Sequence, residues 1–474
     1  MYTAKVAEEW RRHGHEVLLL CQQAPTDRLG FVDLWQRDTG PGHAEFVFTP
    51  HGEATGGRVT VVRPDIGPLL PVYVLDEYEG FEVKRFVDLT DEELNAYLDR
   101  NVVALRDPAA GFGPDAVVVS HLMPGAVVAR RALGDGAFVV KAHGSDLEYA
   151  IRLQERYAVL AREGVEGARA VVGASRDVLR RTVEVVPAVE GRTRVVPPGV
   201  DIERWRPRLR VEALEEAARA LDRDPDTARG RPARTDGAST AAVARGDMET
   251  LDALARTYDQ TAPDPDAAAR LRSLADRAGP IVGYLGKLIP EKGVERVLEA
   301  AALLDGDLPA VVVGFGLGRE LLAALVAVLD RGDVEGYARL RDGSRLALEL
   351  EPDEVRAARG FADRVTFTGR LDHRYAPEVL AAFDMLVVPS TLEEAFGMVA
   401  AEGAATGALP LVARHSSLAE VAEALEAAVG RPGALSFEPG PGATRRLAEA
   451  LRRLLDLPAD ERRQLAGAAR AHVA

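Results

Sequence analysis

The chain has 474 residues, too many for one ordinary hydrophobic core, so two or three domains are expected. Its net charge of −15 excludes a nucleic-acid backbone as the main partner, because phosphate binding wants a basic face. The single cysteine, Cys21, excludes a disulfide framework and a cysteine metal site, which points to a reducing cytosol.

The amino-terminal stretch "MYTAKVAEEWRRHGHEV" is too charged for a signal peptide. No apolar run reaches the ~18 residues that a membrane span requires. Together these predict a cytoplasmic protein. Cys21 ends the apolar strand "VLLLC" and reads as core. Between Phe46 and Phe86, "LLPVYVLDEYEGFEVKRF" gives no interpretable pattern. A regular alternation follows, of short apolar runs and longer amphipathic stretches. "DAVVVSH" (Asp115–His121) precedes "GAVVARRAL", and "FVVKAHGSD" (Phe138–Asp146) precedes "LEYAIRLQERYAVLAREG". "AVVGAS" (Ala170–Ser175) precedes "RDVLRRTVEVV". Continuous Val/Ile/Leu runs of this kind are buried parallel strands, so these are βα units of a doubly wound sheet.

Residues 207–279 break the rhythm. This Arg/Asp/Ala-rich stretch, with "DRDPDTARGRPARTDGAST" in its middle, reads as a charged insertion, partly disordered or helical. From Pro280 the βα units resume, interrupted by a smaller charged insert at 332–359. The expected organisation is a Rossmann-like domain over 1–206, the insertion over 207–279 and a second Rossmann-like domain over 280–474.

Two stretches of the second domain carry chemistry. In "GYLGKLIPEKGVERVLEA" a strand runs into a loop holding Gly286, Lys287, Lys292 and Gly293, and then a helix. Two lysines beside a glycine loop and a helix N-terminus make a cradle for a phosphate or diphosphate. The alternative is a solvated loop with ordinary surface lysines. In "TLEEAFGMVAAEGAATG", Glu394 and Glu402 stand eight positions apart. On a helix that spacing is ~12 Å, too far for a carboxylate dyad and beyond a glycosidase acid/base pair. One long ligand would use both acids. A nucleotide-sugar offers sugar hydroxyls to Glu394, a diphosphate to the helix amides and ribose hydroxyls to Glu402. Otherwise Glu394 is a helix-capping acid and Glu402 belongs to a solvated face.

In the first domain His143 follows a strand in "KAHGSDLE", where doubly wound folds place ligand groups. Asp146 could simply cap the next helix. "GFGLG" (Gly314–Gly318) mimics a dinucleotide fingerprint but lacks the acid that would support it, and reads as a strand-to-helix turn. "DRD" (Asp222–Asp224) and "DPD" (Asp264–Asp266) lie in the insertion and are discounted as metal ligands. No His/Asp/Glu cluster has convincing metal spacing, so neither metal nor cofactor is expected.

"EAFGMVAAE" matches the E-x-F-G-x-x-x-x-E signature of the retaining glycosyltransferases called family 4, and the chain resembles that family. The likeness extends to "KAHGSDLE", "VVPPGVDIERW", "GKLIPEKG", "VTFTGRLDHRYAPEVLAAFDMLVVPS" and "PLVARHSSLAEV", most of the chain outside the two inserts. It implies an α/β GT-B fold, in which two doubly wound Rossmann-like domains face across a cleft. It also implies a metal-independent transferase that moves a sugar from a nucleotide-sugar with retention.

By this resemblance Lys287 and Lys292 hold the donor diphosphate, Glu394 the sugar and Glu402 the ribose, with His143 on the donor sugar. The family more often has Arg where Lys287 stands; lysine keeps the charge but loses the bidentate fork. Gly286 and the segment Ala395, Phe396, Gly397, Met398 and Val399 meet sugar and phosphates, and Gly369 and Arg370 lie near the base. The acceptor would be a small molecule, a saccharide or a lipid, the last bringing peripheral membrane contact. Measured against the family the chain lacks the first strand and the final crossing helix, so both ends look clipped. Competing readings are a nucleotide-sugar binder impaired in turnover and an epimerase of the same fold; an oxidoreductase would rest on "GFGLG" alone.

Overall fold

A computed structural model describes residues 2–25, 29–40, 43–48, 56–74, 78, 80–233 and 235–474. The chain forms two compact units, Met1–Pro198 and Gly199–Ala474. The division falls earlier than the boundary near 207 expected from the sequence, because Trp205 is buried in the core of the second unit.

The first unit contains β1 (Glu16–Leu20), β2 (Leu34–Gly40), β3 (His43–Phe48), β4 (Arg58–Arg63), β5 (Leu69–Val72) and β6 (Glu82–Arg85). They are followed by β7 (Val118–Ser120), β8 (Val139–Ala142), β9 (Ala170–Gly173) and β10 (Thr193–Val195). Among the described residues these strands form three ladders, in the orders β1-β4-β2-β3, β5-β6 and β10-β9-β8-β7. All neighbours run parallel except the β2/β3 pair. The long helix Asp91–Phe112 starts on a complete capping box: Thr90 accepts from the Glu93 N–H while Glu93 reaches back to the Thr90 N–H. Its Leu94, Leu98 and Val102 enter the same core as Val140 and Val171.

The second unit has one fully parallel sheet of β11 (Val282–Lys287), β12 (Ala310–Phe315), β13 (Val365–Phe367), β14 (Met385–Val388), β15 (Leu409–Ala413) and β16 (Ser436–Phe437). Their order is β13-β12-β11-β14-β15-β16. The chain starts in the middle, winds outward one way and then the other. Strand direction of travel therefore reverses between β11 and β14, the position where doubly wound sheets hold ligands. Residues alternate between the two faces of β12: Ala310 and Val312 join one core, Val311 and Val313 the other. Helices cover both faces, which is why these strands read as uninterrupted apolar runs.

The 207–279 segment is helical and packed, not disordered, over its described residues. Helices Arg210–Leu221 and Ala267–Ala275 bury Leu214, Leu221, Leu271 and Leu274 against one face of the sheet. Helices Thr235–Arg245 and Met248–Ala255 send Ala242, Val243 and Leu251 into the other core. The 332–359 insert contributes helices Val334–Gly343 and Pro352–Ala357. Among the described residues no helix is long and apolar enough to cross a membrane.

Candidate active site

In the second unit β11 ends at Lys287, beside the sheet's reversal point. A short turn, Pro290–Lys292, and Gly293 lead into the helix Val294–Ala302. On the neighbouring strand β14 the chain leaves through Pro389–Gly397 and enters the helix Met398–Thr406. These two loops are bonded to one another. The Thr391 N–H and hydroxyl both donate to the Glu291 carbonyl, at 2.8 and 3.0 Å. Lys292 Nζ donates to the Glu394 carboxylate, and both side chains stay partly exposed.

The far side of the loop is also held. Ser417 Oγ donates to the Glu394 carbonyl at 2.7 Å, and His415 Nε2 meets the Ser390 carbonyl at 2.6 Å. Since a carbonyl only accepts, that contact requires the proton on Nε2. Glu394 thus sits in a fixed loop facing a lysine. It does not cap the following helix, whose N-cap is Gly397 with no side-chain cap bond.

Gly397 has φ +91°, a left-handed value that suits glycine. It turns the chain so that the first-turn amides of the helix, Met398 and Val399 among them, have no intrahelical acceptor and can meet an anion. Phe396 packs on the core, which anchors this turn. Glu402 lies one turn further on and is buried, at 9% exposure, which excludes the solvated-face alternative. Burial without a compensating partner pushes its carboxyl up to about 7.

Lys287 lies over the Phe315 ring, its Nζ 5.8 Å from the centroid, and the Arg370 guanidinium lies over the same ring at 4.9 Å. Gly286 pairs with Gly314 across β11 and β12, at a spacing so tight that a Cβ on Gly314 would lie 2.2 Å from the Gly286 carbonyl. Gly369 has φ +71° and is bridged to Pro263 of the inserted segment, and the Arg370 N–H donates to the Ala262 carbonyl at 3.3 Å. Of the residues expected to bind donor, the structure gathers Gly286, Lys287, Lys292, Gly369, Arg370 and Ala395–Val399 at the carboxyl ends of β11 to β14, with Glu394 and Glu402. Among the described residues no group of three or more His, Cys, Asp or Glu side chains is placed to hold a metal ion.

His143 belongs to the first unit, just past the end of β8. Its ring lies 4.6 Å from that of His121, which follows β7. Asp146 is fully buried; it accepts from the Leu122 N–H at 2.6 Å, and its other oxygen lies 3.7 Å from His121 Nδ1. Asp146 therefore does not serve as a helix cap, and the helical turn at Leu147 carries no side-chain cap bond. His121 has φ +71°, rare for a residue with a side chain. His121 Nδ1, His143 Nε2 and Asp146 Oδ1 are buried without a hydrogen-bond partner among the described residues. Burial, reinforced by His121, pushes His143 down to about 4, so its ring is neutral at neutral pH. His121 was missed as a site residue, although its place at the end of "DAVVVSH" is where a parallel strand offers side chains to a ligand. His415 and Ser417 were missed as well; they act on the Glu394 loop only through its backbone.

The second unit has the strand order of a doubly wound, Rossmann-like domain, with the candidate site at its reversal point. Residues 268–472 match the family described as Glycosyl transferases group 1, and residues 1–199 match the Glycosyl transferase 4-like domain. The chain belongs to the GT-B glycosyltransferases of the group 1, family 4 type. The alpha-D-kanosaminyltransferase of Streptomyces kanamyceticus is 32% identical over 202 residues, 41% of this chain and 42% of that protein. The D-inositol 3-phosphate glycosyltransferase of Mycolicibacterium vanbaalenii is 33% identical over 151 residues, 32% of this chain and 29% of that one. The chain thus spans less than half the length of these curated relatives. Among solved structures, Anabaena HepE in complex with UDP and glucose has a TM-score of 0.52 at 14% identity, covering 100% of this chain and 90% of that one. That likeness concerns the fold.

Proposed function

We propose that the protein transfers a sugar from a nucleoside-diphosphate sugar to an acceptor hydroxyl with retention of anomeric configuration and without a metal. The observation that carries this reading is the meeting of Lys292 and Glu394 beside the open helix N-terminus at the sheet's reversal point. Glu394 accepts hydroxyls of the donor sugar. Lys287, Lys292 and the amides of Met398 and Val399 take the diphosphate, and Glu402 accepts the ribose hydroxyls.

In the reaction the acceptor oxygen bonds to the anomeric carbon on the face from which the diphosphate leaves. The bond between that carbon and the phosphate oxygen breaks, and the departing phosphate oxygen takes the acceptor proton. Negative charge grows on the diphosphate, where two lysines and oriented amides already stand, so little reorganisation is needed. That positive charge is what supports the metal-independent reading. On the first unit, His143, beside His121, offers an unpaired ring nitrogen to hydroxyls, with the buried Asp146 behind His121. Relatives named for 2-deoxystreptamine and for D-inositol 3-phosphate support a polyhydroxylated acceptor.

Calorimetric titration of the chain with UDP, GDP and ADP, each with and without its common sugars, tests this. One nucleotide should bind tightly, and Glu402→Ala should abolish the binding. A folded sample that binds none of them would overturn the proposal.

A further inference from the structure

Arg296 stands in the first turn of the helix Val294–Ala302, just past Lys292, and is only 8% exposed. Its Nε is buried with no hydrogen-bond partner, and among the described residues no carboxylate forms an ion pair with its guanidinium. The neighbouring Glu295 feels its charge but is already engaged, accepting from its own N–H and from the Ala347 N–H at 3.3 Å. Burial raises the Glu295 carboxyl above the ordinary 4.5, so it offsets little of a nearby cation. A guanidinium buried this far without an acceptor costs stability while it waits.

The side chain is aimed at the candidate site. Gly293, the N-cap of the helix, has φ +64°. A Cβ placed on it would lie 2.6 Å from the Pro389 carbonyl oxygen and 2.9 Å from Arg296 Nη1. Gly293 closes the loop that carries Lys292, and Pro389 opens the loop that carries Glu394. Nη1 therefore stands in the crevice between these loops, at the reversal point of the sheet, and the missing Cβ keeps that space open. The nine-residue helix has no side-chain cap bond at Gly293, so its amide end adds positive potential there.

Resting on the nucleotide-sugar reading above, we propose that Arg296 is a further ligand of the donor diphosphate, held unpaired in the crevice until a phosphate oxygen arrives. It donates to the phosphate that leaves the anomeric carbon and stays protonated throughout, so no bond to it forms or breaks. Such a role answers a departure seen in the sequence. The resembled family more often has an arginine where this chain has Lys287, and a lysine cannot offer the planar bidentate fork. Arg296 returns that fork to the site from a different element.

The test compares the intact chain with Arg296→Met and Arg296→Lys, using inorganic pyrophosphate as the calorimetric probe. Arg296→Met should weaken pyrophosphate about tenfold or more, the scale of a hydrogen bond between charged groups. Arg296→Lys should recover part of that loss, because it keeps the charge without the fork. Without ligand, Arg296→Met should melt at or above the wild-type temperature, since it removes an uncompensated buried cation. A destabilised or unfolded Arg296→Met chain makes the residue structural and overturns the proposal. Equal pyrophosphate binding by wild type and Arg296→Met overturns it alone and leaves the nucleotide-sugar reading standing. A folded wild type that binds neither pyrophosphate nor UDP, GDP or ADP overturns both.

Discussion

Lys292 and Glu394 lie 102 residues apart in sequence and meet as an ion pair at the point where the second unit's sheet reverses direction. Without ligand each satisfies the other. A nucleotide-sugar would replace one strong contact with several, placing phosphate on the lysine and hydroxyls on the carboxylate. Neither residue is needed to hold the fold, since both side chains are partly exposed and surface pairs stabilise by only ~0–1 kcal/mol.

Lys292→Ala and Glu394→Ala should therefore leave the melting temperature nearly unchanged and lower kcat by about a hundredfold or more, the scale of a lost transition-state charge contact. The variants should differ in binding, with Lys292→Ala weakening the favoured nucleoside diphosphate and Glu394→Ala retaining it. Steady-state rates and calorimetry on the same samples check both halves. Near-wild-type turnover in either variant would refute the roles given to them.

If Glu402 accepts the ribose hydroxyls as proposed, nucleotide binding should depend on pH. Burial holds its carboxyl at about 7, above the ordinary 4.5. Such a raised acid favours the folded state below pH 4.5, and that contribution is lost as pH rises through about 7. Ribose hydroxyls donate best to the ionised form. Nucleotide affinity should thus increase between pH 6 and 8, with proton release on binding. Titrations near pH 6.5 in buffers of different ionisation enthalpy measure that release, and Glu402→Gln should abolish it. Uptake of a proton, or pH-independent binding, would remove Glu402 from the ligand.

How far the sequence disclosed this site depends on how local each signal is. The strands β11, β12, β14 and β15 are legible because helices cover both of their faces and every position can be apolar. The loops after them are legible because glycines and lysines punctuate strand ends. The Lys292–Glu394 contact is not local, and only the strand order creates it. Glu402 occupies a small-residue helix where a buried and an exposed glutamate look alike. The composition of the inserted segment leaves partial disorder and helix both open, and only packing decides: "RVEALEEAARAL" carries Ala213, Leu214, Ala217, Ala218 and Leu221 on one buried stripe. Arg231, Glu320 and Arg319, charged residues that no sequence motif singles out, are all buried.

The first unit's histidines give a second pH effect of opposite sign. Burial and the neighbouring His121 hold His143 at about 4, below the ordinary 6.5. The unfolded chain binds the proton across that window, so stability is present above pH 6.5 and is lost as pH falls toward 4. Denaturant midpoints of wild type and His143→Gln, compared from pH 4 to 7, should converge at the acid end as the wild type loses on the order of 1–3 kcal/mol. If the proposed contact with hydroxyls holds, the variant should also lose turnover at pH 7, where its stability is intact. A variant with full turnover would leave His143 only a structural role.

The inserted helices are fastened by one buried cluster. Glu320, fully buried, accepts from Arg231 at 2.6 and 2.8 Å, from Ser239 at 2.5 Å and from Tyr258 at 2.8 Å. Every donor comes from the 207–279 segment and the acceptor from the helix Arg319–Arg331. Removing one partner of a buried pair strands the other, at a cost of about 3–5 kcal/mol. Arg231→Met should thus lower stability strongly, since it leaves the Glu320 carboxylate in a dry site without its cation. Replacing both, as Arg231→Met with Glu320→Leu, removes the stranded charge and should recover a large part of the loss. Urea denaturation of the two single variants and the double variant gives the coupling directly. Additive losses would show that the cluster does not fasten the segment as a unit. Protease digestion adds a local readout, because cleavage within 207–279 should appear first in the Arg231→Met chain.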